Sequence, residues 1–504
     1  MTVAERELSA VETFETRNPA TGELVATLPV HGEQEVRAAV SRAREAQRWW
    51  AAIGFDERRR RLLDFAALIA SRADELARLV HRDNGKPVRD GFVEVAAVVT
   101  QLDWVARNAK RALRPERRVS WPVATTQGWV EHRPAGVVGI IGPWNYPVVV
   151  PLHTTAYALG AGNAVVFKPS EHTPAVGRWL VDAFAEVVPE QPVLQGVYGY
   201  GETGHALVTS GVDKVSFTGS PATGRKVMKA AADSLTPVLL ELGGKDPMIV
   251  DDDANVERAA QGAAWGGLAN AGQTCVGIER IYATDAVHDR FVERLAQIAR
   301  DLRVGGDEDA DIGPITMPDQ IDVIRRHVED ALDRGATPVV GGRESIDPPF
   351  VHPVVLTDVP DDALVLREET FGPVLPVVRV ADADEAVALA NDTDYGLGSA
   401  IFGRRRAVEL ARRVRAGMTS INDVISYFDL PTLPFGGIGE SGFGRTHGPD
   451  GLKEFSRPHT ITKTRGPLPL PVHTFERPEW LLPVTIKAIG RAAQGVRPAP
   501  WKRR

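Results

Sequence analysis

Between Val137 and Glu241 the chain alternates short β-branched runs with segments of helical periodicity, and this alternation restricts the fold more than any other feature. The runs are VVGII (137–141), AVVFK (164–168), VLQGVY (193–198), KVSFT (214–218) and PVLLE (237–241). Helical segments at 174–187 and 221–232 open on Pro174 and Pro221, first-turn positions where the missing N–H is no loss. Strand, helix and strand repeated in this way predict a parallel sheet with crossover helices. Nucleotide-binding folds belong to this class.

The flanks extend the pattern. Leu62, Phe65, Ala66, Ile69, Ala73, Leu76 and Val80 recur at three- and four-residue spacing within 35–111, which predicts helices with a buried face. After Glu241 a second α/β region runs to about Gly444, with helices expected at 254–269, 286–301, 318–334 and 384–390. An extended excursion at 117–131 and an isolated strand at 455–464 fit neither body. Such pieces pair with another subunit or form exposed hairpins. A chain of 504 residues, 43% of them hydrophobic, is too long for one ordinary domain. The expected division is a cofactor domain at 1–116 and 132–243, a catalytic domain at 244–444, oligomerisation segments at 117–131 and 445–464, and a tail at 465–504.

A net charge of −7 argues against a nucleic-acid binder or a general ligand of anionic membranes and suits a small neutral substrate. The N-terminus has neither a basic start nor an apolar core, and the most apolar run, Val137 to Leu152, is broken by Pro143, Asn145, Pro147 and Pro151. A cytoplasmic protein that does not span a membrane is expected. The single cysteine excludes an intrachain disulfide and a multi-cysteine metal site. No metal is expected.

That cysteine, Cys275, follows the loop formers Asn270, Gly272, Gln273 and Thr274 in NAGQTC. A lone cysteine is commonly a small buried hydrophobe, but these neighbours favour an accessible, reactive sulfur. Glu241 ends its strand ahead of two glycines, where a carboxylate serves acid–base chemistry or simply a salt bridge. In GPWNYP (142–147) two prolines fix the backbone around Asn145; its amide could serve an oxyanion or only its own turn. Lys168 and Glu171, in KPSE at the end of the second run, can meet an adenosine ribose, and Glu171 would repel a 2′-phosphate. FTGSPATG (217–224) is a strand, a glycine turn and a helix start, a geometry suited to phosphate. GYGETG (199–204) matches a dinucleotide fingerprint only formally, because it lacks the acidic residue about twenty positions on.

In order and spacing, PWNYP, KPSE, FTGSPATG, ELGGKDP, NAGQTC, EETFGPV (368–374) and PFGGIGESGFGR (434–445) resemble the motifs of the aldehyde dehydrogenase superfamily over roughly residues 15–464. The resemblance implies an α/β fold with a Rossmann-type cofactor domain, a second α/β catalytic domain and a small oligomerisation segment. It also implies that Cys275 attacks the aldehyde, that Asn145 and the Cys275 backbone N–H hold the oxyanion, and that Glu241 activates the water that hydrolyses the thioester. Trp144, Lys168, Glu171, Gly219, Ser220, Glu369 and Phe371 are the implied cofactor residues. Glu171 favours NAD over NADP without excluding dual use. Tyr146, His153, Tyr427 and Phe435 are placed at the substrate pocket by resemblance alone.

An apolar or aromatic aldehyde is expected, because Ala269 and His153 stand where semialdehyde enzymes commonly carry arginine. GRTHGPDGLKEF (444–455) nevertheless resembles bacterial succinate-semialdehyde enzymes. An NADP-preferring or CoA-acylating relative and a catalytically inactive family member are the alternatives; joint retention of Cys275, Glu241 and Asn145 speaks against the last. A homodimer or homotetramer is implied. The tail has eight basic residues (Arg465, Arg477, Lys487, Arg491, Arg497, Lys502, Arg503 and Arg504) against Glu476 and Glu479, with a short amphipathic helix expected at 483–494. It either packs on protein or makes peripheral membrane contact.

Overall fold

The computed structural model describes residues 12–118, 126–464 and 474–494. After an antiparallel pair of strands, Thr13–Arg17 and Leu24–Pro29, come four helices: α1 (Glu33–Ala52), α2 (Gly54–Ser71), α3 (Ala73–Asn84) and α4 (Val88–Ala112). Leu62, Phe65 and Ile69 of α2 and Leu76 and Val80 of α3 are all buried, as the three- and four-residue spacing requires. Trp50 and Phe65 each meet Phe184 edge-on, with ring centroids 6.1 and 5.1 Å apart.

The alternating region then forms β1 (Val137–Ile141), α5 (Val149–Gly160), β2 (Ala164–Lys168), α6 (Pro174–Val187), β3 (Leu194–Gly196), α7 (Gly201–Thr209), β4 (Lys214–Thr218), α8 (Pro221–Ala232) and β5 (Val238–Glu241). These five strands pair in parallel in the order β5-β4-β1-β2-β3. The order reverses at β1, so the C-terminal ends of β1 and β4 flank a crevice, the usual ligand position in an open α/β sheet. Asn145, Lys168, Ser220 and Glu241 all follow or end strands of this sheet.

A second sheet follows through β6 (Asp246–Val250), α9 (Val256–Leu268), β7 (Ile278–Thr284), α10 (His288–Asp301), α11 (Pro318–Asp333), β8 (Thr337–Val340), β9 (Val354–Thr357), β10 (Val374–Val380), β11 (Ala400–Phe402) and β12 (Ser420–Ile421). Its order is β8-β9-β10-β7-β6-β11-β12, with β8 alone antiparallel to its neighbour. A buried cluster including Met248, Ile281, Phe291 and Val377 forms its core. The chain then returns to the first sheet: β13 (Gly442–Phe443) pairs antiparallel with β5, setting Gly442 opposite Glu241.

Both sheets lie in one compact unit, residues 1–112 and 134–456, and residues 113–133 and 457–504 form a second unit. The division therefore falls between Ser456 and Arg457 and not at 445, because the helix Gly448–Glu454 stays with the first unit. In the second unit, strands Glu116–Arg118, Thr126–Pro134 and Ser456–Thr464 make one sheet. The strand near 455–464 is therefore not isolated: it pairs with the excursion that precedes β1. Its residues 457–464 are exposed except for Ile461, which is intermediate. The tail helix spans Leu481–Ala493, while the basic residues Arg465, Arg497, Lys502, Arg503 and Arg504 lie outside the described residues.

Candidate active site

Two cavities of the first unit meet at Cys275. One is a polar cleft of about 1060 Å³ over the C-terminal ends of the first sheet, and the other a narrow channel of about 120 Å³ between α4, α5 and α9. Cys275, Glu241, Thr218 and Leu242 line both. A molecule in the cleft and a molecule in the channel therefore approach the same sulfur from different sides.

The turn before the sulfur is backbone-strained. Asn270 and Ala271 hold φ of 52° and 55°, and Gly272 follows at 71°, a left-handed run that non-glycine residues adopt only where the surroundings enforce it. A Cβ on Gly272 would collide with the carbonyl of Gly372, in the EETFGPV motif. Burial is the main influence that pushes the Cys275 thiol far up from its ordinary value, and the nearby carboxyls of Glu241, Asp246 and Glu369 add to it. The resting sulfur is a thiol and needs a base to become nucleophilic.

Glu241 can be that base. Burial raises its carboxyl to about 7, against hydrogen bonds from the Thr446 hydroxyl at 2.7 Å and the Thr218 hydroxyl at 3.5 Å. A group with a pKa near neutrality accepts and returns protons within one cycle. Asn145 is buried and donates Nδ2 to the Gln273 carbonyl at 2.9 Å, which fixes the amide beside the NAGQTC turn.

The cleft gathers every residue expected to hold a cofactor: Trp144, Lys168, Glu171, Gly219, Ser220, Glu369 and Phe371 line it. Ser220 caps α8 by accepting from the Thr223 N–H, and the remaining N–H groups and positive dipole of that helix end favour negative charge there. Lys168 Nζ stands 3.3 Å from Glu171 Oε2. Burial, the largest single influence, opposes ionisation of Glu171, but Lys168, a backbone hydrogen bond and His172 together hold the carboxyl below its usual value. Glu369 accepts the Gly244 N–H at 3.0 Å, a contact open only because Gly243 has no Cβ. Trp144 and Phe371 meet edge-on at 5.6 Å. In volume and donor set, the cleft fits a dinucleotide.

The channel is built from helix faces. Asp90, Val93, Glu94 and Ala97 of α4 line one wall, Val149, Val150 and His153 of α5 another, and Trp265 and Ala269 a third. Tyr146, Phe428, Phe435 and His447 add further lining, and among the described residues neither lysine nor arginine lines it. Tyr146 bonds Thr274 Oγ1 through its hydroxyl at 2.8 Å. Tyr427, expected at the pocket, packs behind it in a buried cluster with Val276, Leu397, Met418 and Phe435. Its aromatic neighbour Phe428 takes the lining position, because the short helix Ser426–Asp429 turns Phe428 toward the channel.

With this geometry in view, the comparisons with known proteins decide the family. The model of the aldehyde dehydrogenase family matches residues 6–461. The chain belongs to that family. It is 39% identical to a 4,4'-diapolycopene aldehyde oxidase of Methylomonas sp over 471 residues, covering 92% of this chain and 87% of the relative. It is 36% identical to a glutarate-semialdehyde dehydrogenase of Pseudomonas putida, covering 88% and 93%. The crystal structure of an NAD-dependent aldehyde dehydrogenase from Sinorhizobium meliloti superimposes with a TM-score of 0.88 at 35% identity, covering 92% and 94%.

Two buried ion pairs that the sequence reading missed support the loops of this aldehyde dehydrogenase. Lys86 Nζ bonds Glu94 at 2.7 Å and the Asn145 carbonyl at 2.6 Å, while Glu94 accepts the N–H groups of Val148 and Val149. The Lys86 side chain is 0% exposed and that of Glu94 1%, so losing one partner strands a charge at a cost of about 3–5 kcal/mol. Lys245 pairs likewise with Glu279, whose carboxylate accepts the N–H groups of Thr370 and Phe371. Each pair is separated in sequence from the loop it holds, and a charged residue in a helix or strand reads as solvated by default.

Thr446→Val tests the electrostatics of Glu241. The lost hydrogen bond favours the charged carboxylate, so its removal raises the pKa above about 7. The acid limb of the pH–rate profile should move to higher pH, with activity at pH 7 down severalfold and nearly recovered at pH 9. An unmoved limb would assign it to another group.

Proposed function

We propose that this aldehyde dehydrogenase oxidises an extended apolar aldehyde to the free acid, with NAD as hydride acceptor. The observation that carries the reading is the meeting, at Cys275 and Glu241, of an anion-ready cleft with a channel free of lysine and arginine. A carboxylated aldehyde would find no cation among the described lining residues, since Lys86 behind the wall is already paired with Glu94. Of the two aldehydes for which the relatives above are named, the one without a carboxylate suits these walls.

Cys275 loses its proton to Glu241 and attacks the carbonyl carbon, and the new oxyanion takes the second amide N–H of Asn145 and the Cys275 backbone N–H. NAD, when bound, supplies the hydride acceptor that turns the thiohemiacetal on Cys275 into a thioester. Glu241 passes the thiol proton to solvent, is again a carboxylate and takes a proton from water; the hydroxide adds to the thioester carbon and the thiolate leaves. The α8 N-terminus would hold the pyrophosphate, Lys168 and Glu171 the adenosine ribose, and Glu369 the other ribose. The ionised Glu171 repels a 2′-phosphate, which supports NAD as the preferred form.

The second unit supports two contacts. Its exposed strand Ser456–Thr464 offers a free edge to a second copy of the chain, in keeping with a homodimer or homotetramer. Leu482, Val484, Ile486 and Ile489 are exposed on the tail helix, beside Lys487 and Arg491, a combination that suits the headgroup region of an anionic lipid surface. None of the described helices is long and apolar enough to cross a membrane.

Glu241→Gln separates the two halves of the reaction. It should release about one reduced cofactor per site in a burst and then stall with a thioester trappable on Cys275; steady turnover near the original rate would move the base elsewhere. Glu171→Ser should raise NADP use relative to NAD about tenfold or more in kcat/KM, and no change in the ratio would remove Glu171 from cofactor choice. Deleting residues 465–504 should leave the Cys275 burst intact while reducing sedimentation with phosphatidylglycerol vesicles severalfold. Equal sedimentation of both forms would argue for a tail that packs on protein.

A further inference from the structure

The apolar channel contains one polar relay outside the catalytic machinery. The Tyr157 hydroxyl accepts the Gly448 N–H and shares its own proton between Gln101 Oε1 at 3.0 Å and the Pro431 carbonyl at 3.2 Å, and Gln101 Nε2 lies 3.5 Å from His447 Nδ1. An amide nitrogen only donates, so His447 Nδ1 accepts and the proton of that ring sits on Nε2. His447 Nε2 stands 2.8 Å from His153 Nδ1. It therefore donates, and the proton of His153 is driven to Nε2. That nitrogen is buried and has no hydrogen-bond partner among the described residues.

Aromatic contacts fix both rings. Phe428 lies against His153 with centroids 4.8 Å apart, Phe435 against His447 at 5.2 Å, and Tyr157 stacks on His447 at 6.0 Å with an interplanar angle of 18°. His447 also holds φ of 60°, a conformation kept only where the surroundings over-determine it. Burial keeps both rings neutral: it lowers His153 well below the ordinary imidazole value, with His447 adding to the effect, and lowers His447 to about 3. Both line the channel. A buried donor without a partner is a group that calls for an explanation.

We propose that His153 Nε2–H is a recognition point for an uncharged oxygen acceptor, a carbonyl foremost, carried by the aldehyde substrate at a distance from the reacting carbon. This deepens the reading of the channel as an aldehyde site and rests on it. The substrate is then an otherwise apolar aldehyde with a second, neutral oxygen function. A carboxylate is not the intended acceptor, since both rings are uncharged and no lysine or arginine is among the described residues lining the channel.

The experiment compares nonanal with 4-oxo-, 5-oxo-, 6-oxo- and 7-oxononanal, and with glutarate semialdehyde, on the unmodified full-length protein with NAD. One keto isomer should exceed nonanal about tenfold or more in kcat/KM, and in His153→Phe the ratio should fall to about one. His153→Gln, which restores a donor, should recover part of it. The comparison on the unmodified protein stands even if a variant does not fold. Nonanal oxidised with no keto isomer preferred would overturn the proposal and leave the aldehyde reading intact, whereas oxidation of none of these aldehydes would sink that reading itself. A preference shared by hydroxynonanals but not by their keto counterparts would reverse the direction of the relay and refute a donor. Preference for glutarate semialdehyde over every keto isomer would also refute it.

Discussion

Desolvation of one carboxylate governs the site. Glu241 is held at the end of β5 with only threonine hydroxyls as hydrogen-bond partners, and its removal from water sets its proton affinity near neutrality. The same dry surroundings keep the thiol of Cys275 protonated. In the reaction proposed above, the nucleophile is thereby quiet and the base is matched to the task of arousing it. A salt bridge to Glu241 would stabilise the charge and spoil the chemistry.

Charge pairing is used instead one layer out. Lys86–Glu94 grips the carbonyl of Asn145 and the amides that follow it, and Lys245–Glu279 grips the amides of Thr370 and Phe371 next to Glu369. Buried pairs of this kind contribute little net stability compared with apolar packing, but they are costly to half-remove and directional. In the roles proposed above, these loops carry an oxyanion donor and a ribose-binding carboxylate, which need direction more than adhesion.

Much of this was legible in the residues. Alternating β-branched runs gave away the five parallel strands because each run is buried on both faces, and Pro174 and Pro221 marked helix starts because a fixed φ suits the first turn. Cys275, Glu241, Lys168, Glu171 and the turn at Gly219 and Ser220 stood out through strand ends and turn chemistry, which are local, whereas Trp144, Glu369 and Phe371 came from the family resemblance alone. Distant partners left no such trace. Nothing near Lys86 says that it reaches Asn145, and Tyr427 and Phe428 differ by one position, so only the turn of a four-residue helix decides which ring faces the channel. The strand at 456–464 looked isolated because its partner lies more than three hundred residues earlier.

The antiparallel pairing of β13 with β5 has a further consequence. Glu241 receives its cover, Gly442 opposite it and Thr446 on its carboxylate, from residues about two hundred positions downstream. During synthesis, the first sheet can form while that carboxylate still faces water, with an ordinary acidity and no power to activate the sulfur. On the roles proposed above, a product ending short of Thr446 lacks the cover that sets the acidity of Glu241 near neutrality.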